Sequence, residues 1–303
     1  MNPKILDSLL HNAGAVSWGI AEAAPVDTKN KELYKQWIDC GRHGEMAYLE
    51  KYCDVRDNPQ NLLEGAQSII CAAFNYYHPD NCGRGGLHWA RYALGDDYHN
   101  ELRSRLESVS SKITGETGET CRVCIDTAPL RERYWALRSG VGFLGRNGLL
   151  IVPEAGSWCV LGFIITTLRL PPTPPLPAMT CCGCGLCVRE CPAGALDGDG
   201  GMDALRCRSY LSIEYRGDSI APLGNTVYGC DICQEVCPHN RQVMLSNIKA
   251  FSPRPEVLSL TREEILNMEQ PEFSRLFKGS AIKRTKLAGL KRNVLSTDIN
   301  PKR

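Results

Sequence analysis

Cys181-Cys-Gly-Cys-Gly-Leu-Cys-Val-Arg-Glu-Cys191-Pro192 is the stretch that decides how this chain is read. Cysteines 181, 184, 187 and 191 follow the spacing Cys-x2-Cys-x2-Cys-x3-Cys-Pro. Two-residue loops let three thiolates wrap one cubane, and soft anionic sulfur suits iron. Where two clusters are present, the fourth cysteine of such a run reaches the other cluster. A second run, Cys230-x2-Cys233-x3-Cys237-Pro238, is one ligand short, and Cys207 stands between the two. The expected assignment is two [4Fe–4S] clusters, with Cys181, Cys184, Cys187 and Cys237 on one and Cys191, Cys207, Cys230 and Cys233 on the other. Zinc knuckles are the competing metal reading, but zinc sites do not require this run or its repetition. Cys182 falls out of register.

The rest of the composition fits around that block. The chain has 303 residues, about two domains' worth, and 43% apolar with 23% charged residues excludes wholesale disorder. Of its 16 cysteines, nine lie in 181–237 and seven precede them. Asp7 and His11 interrupt any apolar run at the start, so no signal peptide is read there. No apolar stretch approaches the ~18 residues of a spanning helix. A cytoplasmic, membrane-free protein with reduced thiols is expected, which favours metal binding over disulfides. A formal net charge of +1 excludes a uniformly basic nucleic-acid coat but not a local patch. Such a patch exists: residues 275–303 hold nine Lys/Arg against one acid, Asp298.

Periodicity predicts helices over the first residues (Ile5, Leu6, Leu9, Leu10), over 31–50 with breaks at Gly41 and Gly44, over 98–112 and over 131–139. Strands are predicted at 16–20, 68–74, 121–125, 149–152 and 160–167. The alternation argues for a layered α/β domain over residues 1–170. Five prolines in 169–177 predict an extended connector. A ferredoxin-like double [4Fe–4S] domain then spans 178–245, and a helical basic tail spans 246–303, giving an α+β chain overall. Gly140-x-Gly142-x-x-Gly145 matches a dinucleotide-binding pattern but follows a helix rather than a strand, so it is discounted. Cys121-x2-Cys124 lies within a strand and is read as incidental, as are Cys40, Cys53, Cys71, Cys82 and Cys159. The residues alone stop at a two-cluster reductase with an unidentified acceptor site.

Several separate segments resemble epoxyqueuosine reductases. They are Arg91-Tyr-Ala-Leu-Gly-Asp-Asp-Tyr-His99, Asp126-Thr-Ala-Pro-Leu-Arg-Glu-Arg133, Gly140-Val-Gly-Phe-Leu-Gly-Arg-Asn147 and Glu154-Ala-Gly-Ser-Trp-Cys-Val-Leu-Gly162. Cys207-Arg-Ser-Tyr-Leu-Ser-Ile-Glu214, Tyr228-Gly-Cys-Asp-Ile-Cys-Gln234 and Lys278-Gly-Ser-Ala-Ile-Lys-Arg284 extend the likeness over nearly the whole chain. The resemblance implies a cobalamin enzyme that removes the epoxide oxygen of epoxyqueuosine at the wobble position of tRNA, the last step of queuosine synthesis. Cobalamin would sit without an axial histidine beside one cluster, and a reduced electron donor would feed the clusters.

Asp126 matches the family's proton donor, and a raised pKa is expected to keep it protonated. Helix capping is its ordinary alternative. By the same resemblance, Arg56, Ser157, Ser209 and Asp231, with Asp126, would contact the corrin. His99 is read as a hydrogen-bonding residue. Tyr215 and Arg216 are placed to stack on an unpaired base of the tRNA, and the basic tail suits its phosphates. Longer family members carry a C-terminal helical-repeat domain that this sequence, ending at Arg303, does not contain. The chain is expected to act as a monomer. Rival readings are a reductive dehalogenase-like enzyme, although no Arg-Arg pair of an export signal occurs, and a two-cluster electron carrier without its own catalysis.

Overall fold

The computed structural model describes residues 1–176, 180–218 and 220–297. Pro177 of the proline connector, and Asp298, Lys302 and Arg303 of the tail, lie outside the described residues. A four-stranded sheet organises the N-terminal part. Its strands β1 (Ser17–Glu22), β2 (Ser68–Asn75), β4 (Cys121–Cys124) and β5 (Cys159–Thr166) lie in the order β1-β2-β5-β4. Every neighbouring pair is antiparallel. The alternation of helices and strands therefore reflects an antiparallel sheet under helices rather than parallel crossovers, and the domain is α+β.

Both faces of the sheet are covered. On one, Ile70, Ala72 and Phe74 of β2 meet Leu6 and Leu10 of α1 (Pro3–Asn12) and Leu102, Leu106, Val109 and Ile113 of α2 (Tyr98–Thr117). On the other, Ile69, Cys71 and Ala73 meet Trp135 and Ala136 of α3 (Glu132–Arg138). Every residue of β2 is buried, and a strand covered on two faces reads as one apolar run, as 68–74 does. Gly162 of β5 lets α2 approach closely, since a Cβ there would lie 2.4 Å from Leu106 Cδ1. Helix α2 runs past the expected end at 112 and stops where Gly118 takes a left-handed φ of 74°.

The proline connector is packed along the outer strand. Thr173 donates its N–H to Ile20 O at 2.8 Å and accepts from Ile20 N at 3.0 Å, which covers the free edge of β1. A further core joins distant parts of the chain. Leu87, Trp89 and Leu94 pack with Val227 and Tyr228, and with Val257, Phe273, Phe277, Ile282, Leu290 and Val294 from beyond residue 245. Strand β3 (His88–Trp89) pairs in parallel with β6 (Thr226–Tyr228) at the same place. No helix among the described residues is long and apolar enough to cross a membrane.

Asn293 ties this assembly together. It is fully buried on α5 (Lys286–Leu295), and its Nδ2 donates to Ser212 O at 2.7 Å and Val227 O at 2.9 Å. Asn293→Leu removes this donor from the Val227 carbonyl and leaves the Ser212 carbonyl with Thr285 Oγ1 at 3.0 Å; it is expected to cost about 2 kcal/mol, lowering Tm by roughly 5 °C. Leu295→Ala, at an exposed neighbour on the same helix, serves as the control in the same thermal scan. Equal Tm values for the two variants would remove the bridging role of Asn293.

Candidate functional site

The two cysteine runs fold into two thiol groups. Cys181, Cys184, Cys187 and Cys237 line a small pocket, together with Arg146, Asn147 and His239. Cys182 also borders it. Burial pushes the Cys237 thiol up, and the charges of Cys181, Cys187 and Cys184 add to this. Around Cys233 stand Cys230, Cys207 and Cys191, which reinforce a rise that burial begins. Cys187 lies in the single turn Leu186–Arg189 and Cys233 in the single turn Ile232–Glu235. Each turn ends before Cys191 or Cys237, so the last thiol of each run lies beyond the helix. Among the described residues, no three Cys, His, Asp or Glu side chains close around a point that would hold a single ion.

The glycine-rich segment at 140–145 enters a hairpin, Phe143–Leu144 against Leu150–Ile151. Phe143 and Ile151 pack on Cys237 and Cys181. The hairpin therefore backs the first thiol group, and its glycines serve close packing: a Cβ at Gly142 would lie 2.4 Å from Ile151 O.

Asp126 follows the end of β4, beside the N-terminus of α2. Its Oδ2 lies 3.0 Å from His99 Nε2, and His99 Nδ1 lies 2.7 Å from Asp97 Oδ1. Asp97 also caps α2, accepting the His99 N–H at 3.1 Å, and the imidazole stacks on Tyr98 at 4.1 Å. The Asp126 N–H donates to Glu132 Oε1 at 2.6 Å. The Asp126 side chain is 46% exposed, yet burial is the largest influence on its carboxyl. Asp126 therefore stands at the surface with neighbours packed closely around its carboxyl.

Electrostatics there differ from the sequence expectation of a protonated Asp126. Burial works to raise its carboxyl, but the hydrogen bond and charge of His99, with Arg284 and Tyr98, hold it below the usual carboxylate value. Burial alone would lower His99, whereas its bonds to Asp126 and Asp97 push it up to about 9. Burial and the charge of Asp126 push Glu132 up to about 8. At neutral pH the protons therefore sit on His99 and Glu132, with Asp126 charged between them.

The other expected contact residues take varied positions. Arg56 reaches Leu130 O at 3.5 Å, and its Nε is buried without a partner. Ser209 is half-buried on α4 (Arg208–Ile213), two residues after Cys207. Ser157 is buried, donating to Gln234 Oε1 at 3.0 Å and accepting from Asn240 Nδ2 at 2.8 Å. Buried Asp231 accepts from the Arg91 N–H at 2.8 Å and pairs with the Arg91 guanidinium at 3.5 Å. Tyr215 lies under Arg292, 5.5 Å from the ring centroid. Arg216 is exposed and donates to Ile213 O and Arg284 O.

Sequence reasoning gave Glu132 no role, and it placed Arg284 only in the basic tail. Arg284 pairs with Glu214 at 2.7 Å, stands 5.9 Å from the Tyr48 ring and faces Asp126 closely enough to influence it. Both residues lie inside quoted segments, which was the available signal. Arg292, also counted in the tail, instead donates to Tyr215 O, Gly217 O and Leu211 O.

Comparison with known proteins follows the same lines. The family model described as "Epoxyqueuosine reductase QueG, DUF1730" matches residues 56–127, and that described as "4Fe-4S double cluster binding domain" matches 180–240. An epoxyqueuosine reductase of Cyclobacterium marinum is 38% identical over 283 residues, covering 91% of this chain and 90% of its own. A crystal structure of epoxyqueuosine reductase with an epoxyqueuosine-modified tRNA-Tyr stem loop superposes with a TM-score of 0.86 at 26% identity, covering 96% of this chain and 79% of that one. A Bacillus subtilis epoxyqueuosine reductase, with its catalytic aspartate loop swung out of the active site, gives a TM-score of 0.82 at 26% identity, covering 96% and 80%. With 38% identity across nine-tenths of both chains, this chain belongs to the epoxyqueuosine reductase family.

Proposed function

We propose that this chain reduces epoxyqueuosine to queuosine at the wobble position of tRNA, with two [4Fe–4S] clusters and a cobalamin as its resident groups. The observation that supports the reading is the presence, in one chain, of a double-cluster segment at 180–240 and the Asp126 carboxylate paired with His99. Cys181, Cys184, Cys187 and Cys237 would hold one cluster, and Cys191, Cys207, Cys230 and Cys233 the other. Their donor chemistry and the thiol-lined pocket fit iron–sulfur cubanes. The surroundings of Asp126 also fit a corrin, a ligand rich in amide oxygens, because Arg56 Nε is a buried donor without a partner. Asp126, Arg56 and Ser209 would face that ligand. Ser157 and Asp231, engaged by Asn240, Gln234 and Arg91, would hold the wall behind it.

When bound, the corrin supplies the two electrons and the clusters replenish them one at a time. The reaction breaks both carbon–oxygen bonds of the epoxide, forms the alkene and releases water, consuming two electrons and two protons. This chain's part is proton delivery. His99 Nε2 holds a proton against Asp126 Oδ2, and Asp126 presents it to the departing oxygen. Tyr215 and Arg216, with Tyr48 and Arg284 on the same rim, would receive the flipped nucleotide and its phosphates. We further propose cytoplasmic action as a monomer, with a unit at 178–245 holding the clusters, residues 1–170 the corrin and 246–303 the tail.

Nucleoside analysis of tRNA from a deletion strain tests the activity: epoxyqueuosine should accumulate, and normal queuosine would defeat the proposal. The purified chain should carry roughly eight irons, the content of two four-iron clusters; stoichiometric zinc would defeat the cluster assignment. Asp126→Asn should keep its iron and corrin while turnover falls by about 100-fold or more.

His99 adds a pH signature. Its folded value of about 9 lies above the ordinary 6.5, so its contribution to stability is complete below about 6.5 and fades as pH rises through 9. The kcat profile should fall on the alkaline side near that value, and His99→Gln should abolish this limb. A wild-type profile flat to pH 10 would detach His99 from the proton path.

A further inference from the structure

We propose that Glu132 is a positioning residue, a latch whose carboxyl holds the Asp126 backbone in the conformation that aims the acid at the departing oxygen. This rests on the role given to Asp126 above. Asp126 has a φ of +31°, in a region that a non-glycine residue keeps only when its surroundings hold it there. Its side chain is held by His99 from the first turn of α2, with Tyr98 and Arg284 acting on the same carboxyl. Its amide is taken by Glu132 at 2.6 Å.

The two ends of the latch differ in rigidity. Glu132 is the first residue of α3, whose Trp135 and Ala136 are anchored in the core behind the sheet. Asp126 begins an irregular segment, 126–131, whose far end is anchored by Leu130 in the core and by Arg131 against Asp57. Near Asp126 the ties are Ala128 N–H to Ile125 O at 3.1 Å and Thr127 Oγ1 to Ile125 O at 3.2 Å, and neither takes the Asp126 peptide itself. Removing Glu132 would leave an unpaired amide in a strained backbone, and the segment would relax away from His99.

A second position for such a loop is on record, since the Bacillus subtilis relative has its catalytic aspartate loop swung out of the active site. The chemistry of the latch is also suitable. Burial and the Asp126 charge push Glu132 up to about 8. A neutral carboxylic acid accepts the amide without placing a second negative charge beside Asp126. A glutamine carbonyl can accept the same hydrogen bond.

The experiment compares Glu132→Ala and Glu132→Gln in the full chain loaded with iron and corrin. It reads kcat and KM for epoxyqueuosine tRNA, and hydrogen–deuterium exchange of residues 125–131. Glu132→Ala should lower kcat by about 10- to 100-fold with KM within about two-fold, as loss of positioning does, and exchange at 125–131 should accelerate. Glu132→Gln should restore most of the rate and the protection. Unchanged exchange in Glu132→Ala would overturn the latch. Equal loss in both variants would also overturn it, by showing that the carboxyl itself moves a proton. If Glu132→Ala fails to retain iron, Glu132→Ser is read by the same criteria. Should the wild-type chain prove inactive on epoxyqueuosine tRNA, the exchange comparison still decides the latch, so the two failures are distinguishable.

Discussion

The two cysteine runs pack against each other, and that packing constrains the path of the chain from 181 to 237. Cys237, from the second run, shares a pocket with Cys181, Cys184 and Cys187 of the first. Cys191, from the first run, lies near enough to Cys207 and Cys233 to influence both thiols. The second run also brings Gln234 and Asn240 against Ser157, which joins the thiol-bearing segment to the end of the sheet. A buried network of this type is favourable only when each member is satisfied, and Ser157 meets that condition through its backbone N–H as well as its hydroxyl.

Charge is arranged with similar economy around Asp126. Asp97, His99 and Asp126 alternate in sign, and the cation between two carboxylates is stabilised by both. Arg284 arrives from the C-terminal part already paired with Glu214, so its field acts on Asp126 while one side of its guanidinium is occupied. The formal net charge of +1 therefore conceals local order: acids and bases are distributed so that protons reside at His99 and Glu132, on either side of a charged Asp126.

Legibility in the sequence followed the range of each constraint. The double-cluster segment could be read because cluster geometry fixes the ligand spacing within a few residues. Strand β2 could be read because burial on two faces leaves a continuous apolar run. His99 and Asp126 are 27 residues apart, and their pairing depends on a strand end meeting a helix start, which no local pattern encodes. The expectation of a raised Asp126 failed for this reason: burial was anticipated, and the opposing histidine was not. The prolines at 169–177 marked the connector, but not its docking. The edge of β1 that Thr173 covers belongs to a segment some 150 residues earlier, beyond the reach of periodicity. Glu132 was hidden for a different reason, because its contact is with a backbone amide and such contacts carry no side-chain signature.

The core that joins residues 87–94 to residues beyond 250 has a consequence for how the protein is made. Its early members, Leu87, Trp89 and Leu94, meet Val227 and Tyr228 first and Leu290 and Val294 last. Translation at roughly 5–20 residues per second delays completion of that core by about 10–40 seconds. Strand β3 waits a shorter time, about 7–28 seconds, for β6, the strand that leads directly into Cys230. The region around Cys230 is thus completed late in the life of the nascent chain, after every strand of the four-stranded sheet has been synthesised.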